Sequence, residues 1–186
     1  MTLQTSDRNG LSMQVRVVPH DPNWQYAFNI EASRITQELG EPAVTTHHIG
    51  STAIPGIVAK PVIDILLEVE RIERLDQQVA AMQCLGYEAL GEYGIPGRRY
   101  FRKNDHDGTR THHVHGFLAG SDGAMRHVAF RAYMVAHPSE AQAYGVLKAQ
   151  LASLHSDDIE AYMDGKDSFI KERERLALEW WASHKE

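Results

Sequence analysis

Residues 47–69 read HHIGSTAIPGIVAKPVIDILLEV, and the fold turns on how this stretch divides. Residues 62–69 (VIDILLEV) follow Pro61 and carry apolar, largely β-branched side chains on both faces, the pattern of a strand buried inside a sheet. Residues 43–49 (AVTTHHI) form a preceding strand that ends at Gly50-Ser51. Between them, Pro55, Gly56 and Pro61 leave room for a tight turn with at most one helical turn. Alternation along the second strand puts Asp64, Leu66 and Glu68 on one face and Ile63, Ile65 and Leu67 on the other.

Asp64 is the anomaly in that strand. Burying an unpaired carboxylate costs on the order of 2–7 kcal/mol or more, so it demands a metal, a cation or donated hydrogen bonds. Glu68 lies roughly 13 Å further along the strand, too far to share one metal, and reads as a solvated strand-end residue. A strand ending in Gly50-Ser51 turns amide N–H groups and a hydroxyl outward, the chemistry of a phosphate cradle. Lys60 adds a point charge. The plainer alternative, a strand-to-loop turn with Asp64 as a structural hydrogen-bond acceptor, stays open on the sequence.

Working outward, residues 14–18 (QVRVV) alternate as a short strand, and residues 1–13 read as a flexible polar tail. Trp24, Phe28, Ile35 and Leu39 mark one face of a helix running to about Gly40. Ile72, Leu75, Val79, Met82 and Leu85 are spaced for a second helix stopped by Gly86, with Cys84 read as a buried structural thiol within it. A short strand (YEAL) and a Gly/Pro-rich loop (GEYGIPG) follow. Next come strands at about 98–103 and 111–118, joined by a hairpin turn at NDHDG. Helices are expected at 123–136, from Pro138 to about 154, and from about 157 to 183, with their aromatic and methionine side chains serving packing. Residues 14–186 thus read as a single α+β domain, a mixed sheet followed by a helical C-terminal third.

Eleven histidines are many for 186 residues, and several cluster. In THHVHGF, His113 and His115 share one strand face while His112 points away. Together with Asp64, and with His48 from the neighbouring strand end, they form a candidate set for a divalent metal, Mg2+ or a transition metal, the donors suiting the latter better. Hydrogen bonding to a substrate is the competing reading, and His113 or His115 would equally serve as an acid–base group beside Asp64. In PGRRYFRK, Arg98, Tyr100 and Arg102 face one way, and Arg99, Phe101 and Lys103 the other. Arg99, beside Tyr100, is the candidate for holding a phosphate, with Arg131 of the later helix as a further cation.

Composition narrows the classes. A formal net charge of -6 speaks against a sequence-independent nucleic-acid binder but leaves room for a local basic pocket. The single cysteine allows no internal disulfide, and no apolar run approaches the ~20 residues of a membrane span. With neither an apolar signal core nor a basic leader at the N-terminus, the expectation is a cytoplasmic protein.

Five segments in order carry a resemblance: VVPHDPNW (17–24), HHIGSTAIPGIVAKPVIDIL (47–66), GIPGRRYF (94–101), RTHHVHGF (110–117) and AFRAYMVAHPSEAQAYGVLKAQLA (129–152). On these the chain resembles the GrpB family. The resemblance implies a nucleotidyltransferase-like fold of the DNA polymerase beta type. It also hints at nucleotide or coenzyme A metabolism, because a similar domain is fused to dephospho-coenzyme A kinase in some bacteria. Active nucleotidyltransferases follow Gly-Ser with an Asp-x-Asp pair holding two metals. Here the second acid is replaced by Leu66. Three functions follow as expectations. They are transfer of a nucleotidyl or phosphoryl group, a non-catalytic nucleotide- or coenzyme A-binding module acting with a coenzyme A pathway enzyme, and a His/Asp metal-dependent hydrolase.

Overall fold

Gly50 closes one strand and Asp64 lies opposite that closure on the next, and the sheet is built around this pair. A computed structural model describes residues 15–40 and 44–184. The five strands are β1 (Thr45–Ile49), β2 (Ile63–Val69), β3 (Tyr87–Ala89), β4 (Arg99–Asn104) and β5 (Arg110–Leu118), in the order β1-β2-β5-β4-β3. β2 and β5 run parallel and every other pair is antiparallel, so the sheet is mixed as expected. β2 is paired on both sides and mostly buried, which is why its sequence is apolar on both faces. A single 3-10 turn, Ser51–Ala53, is all the helix that the Pro/Gly-rich connection between β1 and β2 holds.

One face of the sheet is closed by α1 (Asn23–Leu39), α2 (Glu73–Gln77) and α3 (Val79–Cys84). Trp24, Phe28, Ala32, Ile35 and Leu39 recur at helical spacing and pack with Ile63, Ile65, Leu67, Phe101 and Val114. The other face meets the helical third, α4 (Asp122–Ala136), α5 (Pro138–Leu154) and α6 (Ile159–Ser183). There Leu66 packs with Ile49, Phe117 and Ala124. The division of β2 between its two faces is the one alternation gives. No helix among the described residues is long and apolar enough to cross a membrane.

Four local expectations change. The second helix is interrupted at Gln78 (φ -97°, ψ 11°), whose N–H is shared between the carbonyls of Arg74 and Leu75, and its apolar stripe is divided between α2 and α3. Cys84 is exposed. It lies two residues, about 200° around the helix, from the buried Met82. Residues 15–18 make no strand. Val18 forms an isolated bridge to Ala59, in a turn segment too irregular to extend a ladder. Glu68 is half-buried and engaged, accepting from His47 Nε2 at 2.7 Å and from the Gly120 amide at 3.0 Å. Residues 1–14, 41–43 and the last two residues lie outside the described residues, the expected tail and the start of the expected strand at 43–49 among them.

Candidate functional site

The parallel register of β2 and β5 sets Asp64 beside His113 and Leu66 beside His115, so the three polar side chains share the cavity face of the sheet. His113 Nδ1 lies 3.0 Å from Asp64 Oδ1, and His115 Nε2 lies 3.6 Å from the same oxygen. Burial pushes the Asp64 carboxyl up, but the hydrogen bonds and charges of His113 and His115 outweigh it and hold it well below the carboxylate range. About a quarter of the Asp64 side chain is exposed, and it opens into the cavity. Burial pushes the His115 ring down despite its contact with Asp64. Behind it on α4, His127 sits 5.4 Å away, ring to ring, and burial drives it down to about 3.

Gly50 makes this arrangement sterically feasible. Its φ is 70°, and a Cβ built there would lie 2.3 Å from Asp64 Oδ2. The close approach foreseen for a ligand is used first by the protein's own carboxylate. Any other residue at position 50 would strain the backbone and displace Asp64.

A cavity of about 430 Å³ opens over these residues. Its lining includes the candidates Ser51 and Lys60 together with Arg98, Lys148 and Lys166. Lys148, on α5, is 1% exposed. Its ammonium donates to the Val58 carbonyl and lies 4.5 Å from the Tyr144 ring centre. Burial, reinforced by the charge of Lys166, pushes it down to about 7. Lys166, on α6, lies over the Tyr162 ring and is pushed by burial to about 8, partly opposed by Asp64. Burial likewise lowers Lys60. Four cations therefore share the cavity with Asp64, in a chain whose net charge is negative.

Three candidates lie elsewhere. His48 is opposite Ile65 and so faces α1. It stacks on Phe28 with ring centres 4.9 Å apart, and its Nε2 lies 3.0 Å from the Thr52 hydroxyl. Burial, then the positive charge of Arg131, lowers it to about 4. Arg99 turns away from the cavity into a bidentate pair with Asp76, at 2.5 and 2.8 Å. Its neighbour Arg98 takes the cavity position, because Tyr100 pairs with His115 and fixes which face of β4 looks inward. Arg131 is not among the lining residues, and its Nε is buried without a hydrogen-bond partner among the described residues. Lys148, Lys166, Tyr93 and Tyr162 were not foreseen. They come from a loop and two helices whose placement no local pattern encodes.

Asp64, His113 and His115 each offer one ligand atom, all within 4.8 Å of one another, and His48 is outside this set. One carboxylate and two imidazoles suit a borderline transition metal better than magnesium. The Asp-x-Asp pattern fits poorly, since Leu66 is fully buried among Ile49, Phe117 and Ala124 and its position offers no ligand atom.

A model of the GrpB family, described as GrpB protein, matches residues 14–175. The UPF0157 protein YqkA of Bacillus subtilis is 44% identical over 167 residues, 90% of this chain and 48% of its own length. The chain thus spans about half of that relative. A dephospho-CoA kinase of Mycolicibacterium paratuberculosis is 28% identical over 189 residues, 89% of this chain and 46% of the kinase. The crystal structure of conserved protein GrpB from Enterococcus faecalis superposes with a TM-score of 0.84 at 43% identity, covering 89% of this chain and 99% of that one. Terminal uridylyl transferase 4 from Trypanosoma brucei with bound dUTP superposes with a TM-score of 0.51 at 9% identity, over 77% of this chain and 51% of that one, a likeness of fold. The fold is nucleotidyltransferase-like.

Proposed function

The chain belongs to the GrpB family, and from that premise we propose that it binds a nucleotide or another phosphorylated small molecule in the cavity beside Asp64. The observation that carries the proposal is the convergence of Lys60, Arg98, Lys148 and Lys166 with the Ser51 hydroxyl on one cavity. Cations that burial pushes toward neutrality gain most from a bound anion, which restores their preferred charged form. The tyrosines of the lining leave an apolar wall for the rest of the ligand.

Asp64, His113 and His115 would hold a divalent transition metal, which when bound supplies Lewis acidity at a phosphate oxygen. Binding without transfer is the favoured form of this reading, because the buried Leu66 removes the second acid of a two-metal site. A second reading, nucleotidyl or phosphoryl transfer, is favoured by one observation. His113 lies 3.0 Å from Asp64 at the cavity wall, a pair able to accept a proton from an acceptor hydroxyl. The likeness to a dephospho-CoA kinase supports a place beside a coenzyme A pathway enzyme, and a cytoplasmic location belongs to the same proposal.

The test combines metal analysis of the purified protein with thermal shifts on added nucleoside triphosphates and zinc or manganese. Nucleotide is expected to raise the melting temperature of the wild type. Asp64→Asn is expected to lose retained metal and the metal-dependent part of the shift. Absence of any shift with nucleotides or inorganic polyphosphate would overturn the binding reading, whereas pyrophosphate release on turnover would promote the transfer reading.

A further inference from the structure

Two large apolar side chains left exposed on the surface line this same cavity: Tyr93 is 49% exposed and Met163 50%. Tyr93 belongs to the loop between β3 and β4, and Met163 to α6. The sheet half and the helical third therefore each contribute one wall of the mouth.

Tyr93 is held in an uncommon way. Its φ of 44° is in the left-handed region, which a bulky side chain seldom adopts and which persists only where the surroundings enforce it. Arg98 does so, donating to the Tyr93 carbonyl at 2.8 Å and to the Glu92 carbonyl at 3.2 Å, while the Gly97 amide donates to the Glu92 carboxylate at 2.7 Å. The Tyr93 ring stacks on Tyr100 with centres 5.2 Å apart and planes 17° from parallel. Tyr100 in turn packs against His113 and His115 at 5.5 and 5.3 Å. A row of rings thus runs from the mouth to Asp64. A ring half in water adds little to the core, so fixing it there against backbone strain serves whatever enters the cavity.

Taking the phosphate-binding reading as its premise, we propose that the mouth between Tyr93 and Met163 receives the planar aromatic ring of the ligand. The ligand class is then a nucleotide rather than a sugar phosphate or polyphosphate. The base stacks on Tyr93, and the phosphates extend inward to Lys60, Arg98, Lys148 and Lys166. Stacking tolerates any base because each has a π-face, and the Met163 thioether offers a polarisable contact on the helical side.

Calorimetric titration of the full chain with ATP and with inorganic tripolyphosphate tests this. Tripolyphosphate carries at least the charge of ATP, so any excess affinity for ATP belongs to the nucleoside. Wild type is expected to bind ATP about tenfold more tightly than tripolyphosphate. Tyr93→Asn, which accepts the same left-handed backbone without the ring, should erase that advantage while leaving tripolyphosphate binding unchanged. Tyr93→Phe should retain it. Equal affinities in the wild type, or an ATP advantage that survives Tyr93→Asn, would overturn the ring-binding mouth and leave the phosphate site standing. Binding of neither compound would overturn both.

Discussion

On the α1 face of the sheet the buried carboxylate is Glu31, and it is fully answered. It accepts from the Tyr87 hydroxyl at 3.0 Å, from Lys103 at 2.7 Å and from Arg34 at 3.2 Å. On the cavity face the half-buried carboxylate is Asp64, and it is outnumbered by four cations and flanked by two imidazoles. Lys148 meets a carbonyl and an aromatic ring, neither of which carries a compensating charge. The first face satisfies its carboxylate within the fold. The second holds an excess of partly desolvated positive charge, which an anionic ligand would relieve. The contrast separates a polar group that serves stability from one that, on the proposed reading, serves binding.

Four substitutions would break or sharpen that contrast. The largest effect is expected at Glu31. Glu31→Ala leaves Lys103 and the Tyr87 hydroxyl without their acceptor, and unfolding in urea should show a loss of about 3–5 kcal/mol. A loss under about 1 kcal/mol would mean that the closed face is not held by this network.

The intermediate effect is at Lys148, and its sign is opposite. The folded-state value of about 7 lies below that of an unfolded lysine, about 10.4. Between these values the unfolded chain holds a proton that the folded chain does not, so wild-type stability rises as pH climbs from about 7 toward 10. Lys166, at about 8, adds to the same slope. Lys148→Met should therefore gain about 1–2 kcal/mol at pH 7, flatten the rise measured by chemical denaturation from pH 7 to 9.5, and weaken polyphosphate binding. A variant less stable than wild type at pH 7 would erase the distinction between the faces.

The smallest effect is expected at Arg99. Its pair with the exposed Asp76 is a surface contact, so Arg99→Ala should change stability by at most about 1 kcal/mol and leave nucleotide affinity intact. Arg98→Ala should reduce that affinity and, by releasing the carbonyls of Glu92 and Tyr93, loosen the loop as read by hydrogen exchange.

Much of this was legible in 47–69. An acid within an apolar strand, downstream of a Gly-Ser bend, marked the cavity wall, and the i, i+2 spacing of His113 and His115 placed both on it. The same rule divided PGRRYFRK into two faces but could not say which looked inward. That depended on Tyr100 meeting His115, a pairing between strands. His48 was misplaced for the same reason, its partner Ile65 being set by the β1–β2 register. Cys84 and the break at Gln78 were missed because an apolar stripe constrains one side of a helix and neither the other side nor its continuity.

By itself the sequence determined the five strands of the sheet, though it added one at 14–18 whose described residues form only an isolated bridge. It also determined most of the helices and which residues within each strand share a face, because side-chain alternation is a local property of extended backbone. Tertiary structure alone decided that Lys148 and Lys166, far along the chain from Asp64, descend from α5 and α6 into the same cavity. The meeting of distant segments is set by the packing of whole faces. A lysine in a helix carries no local mark of the anion it will confront across the fold.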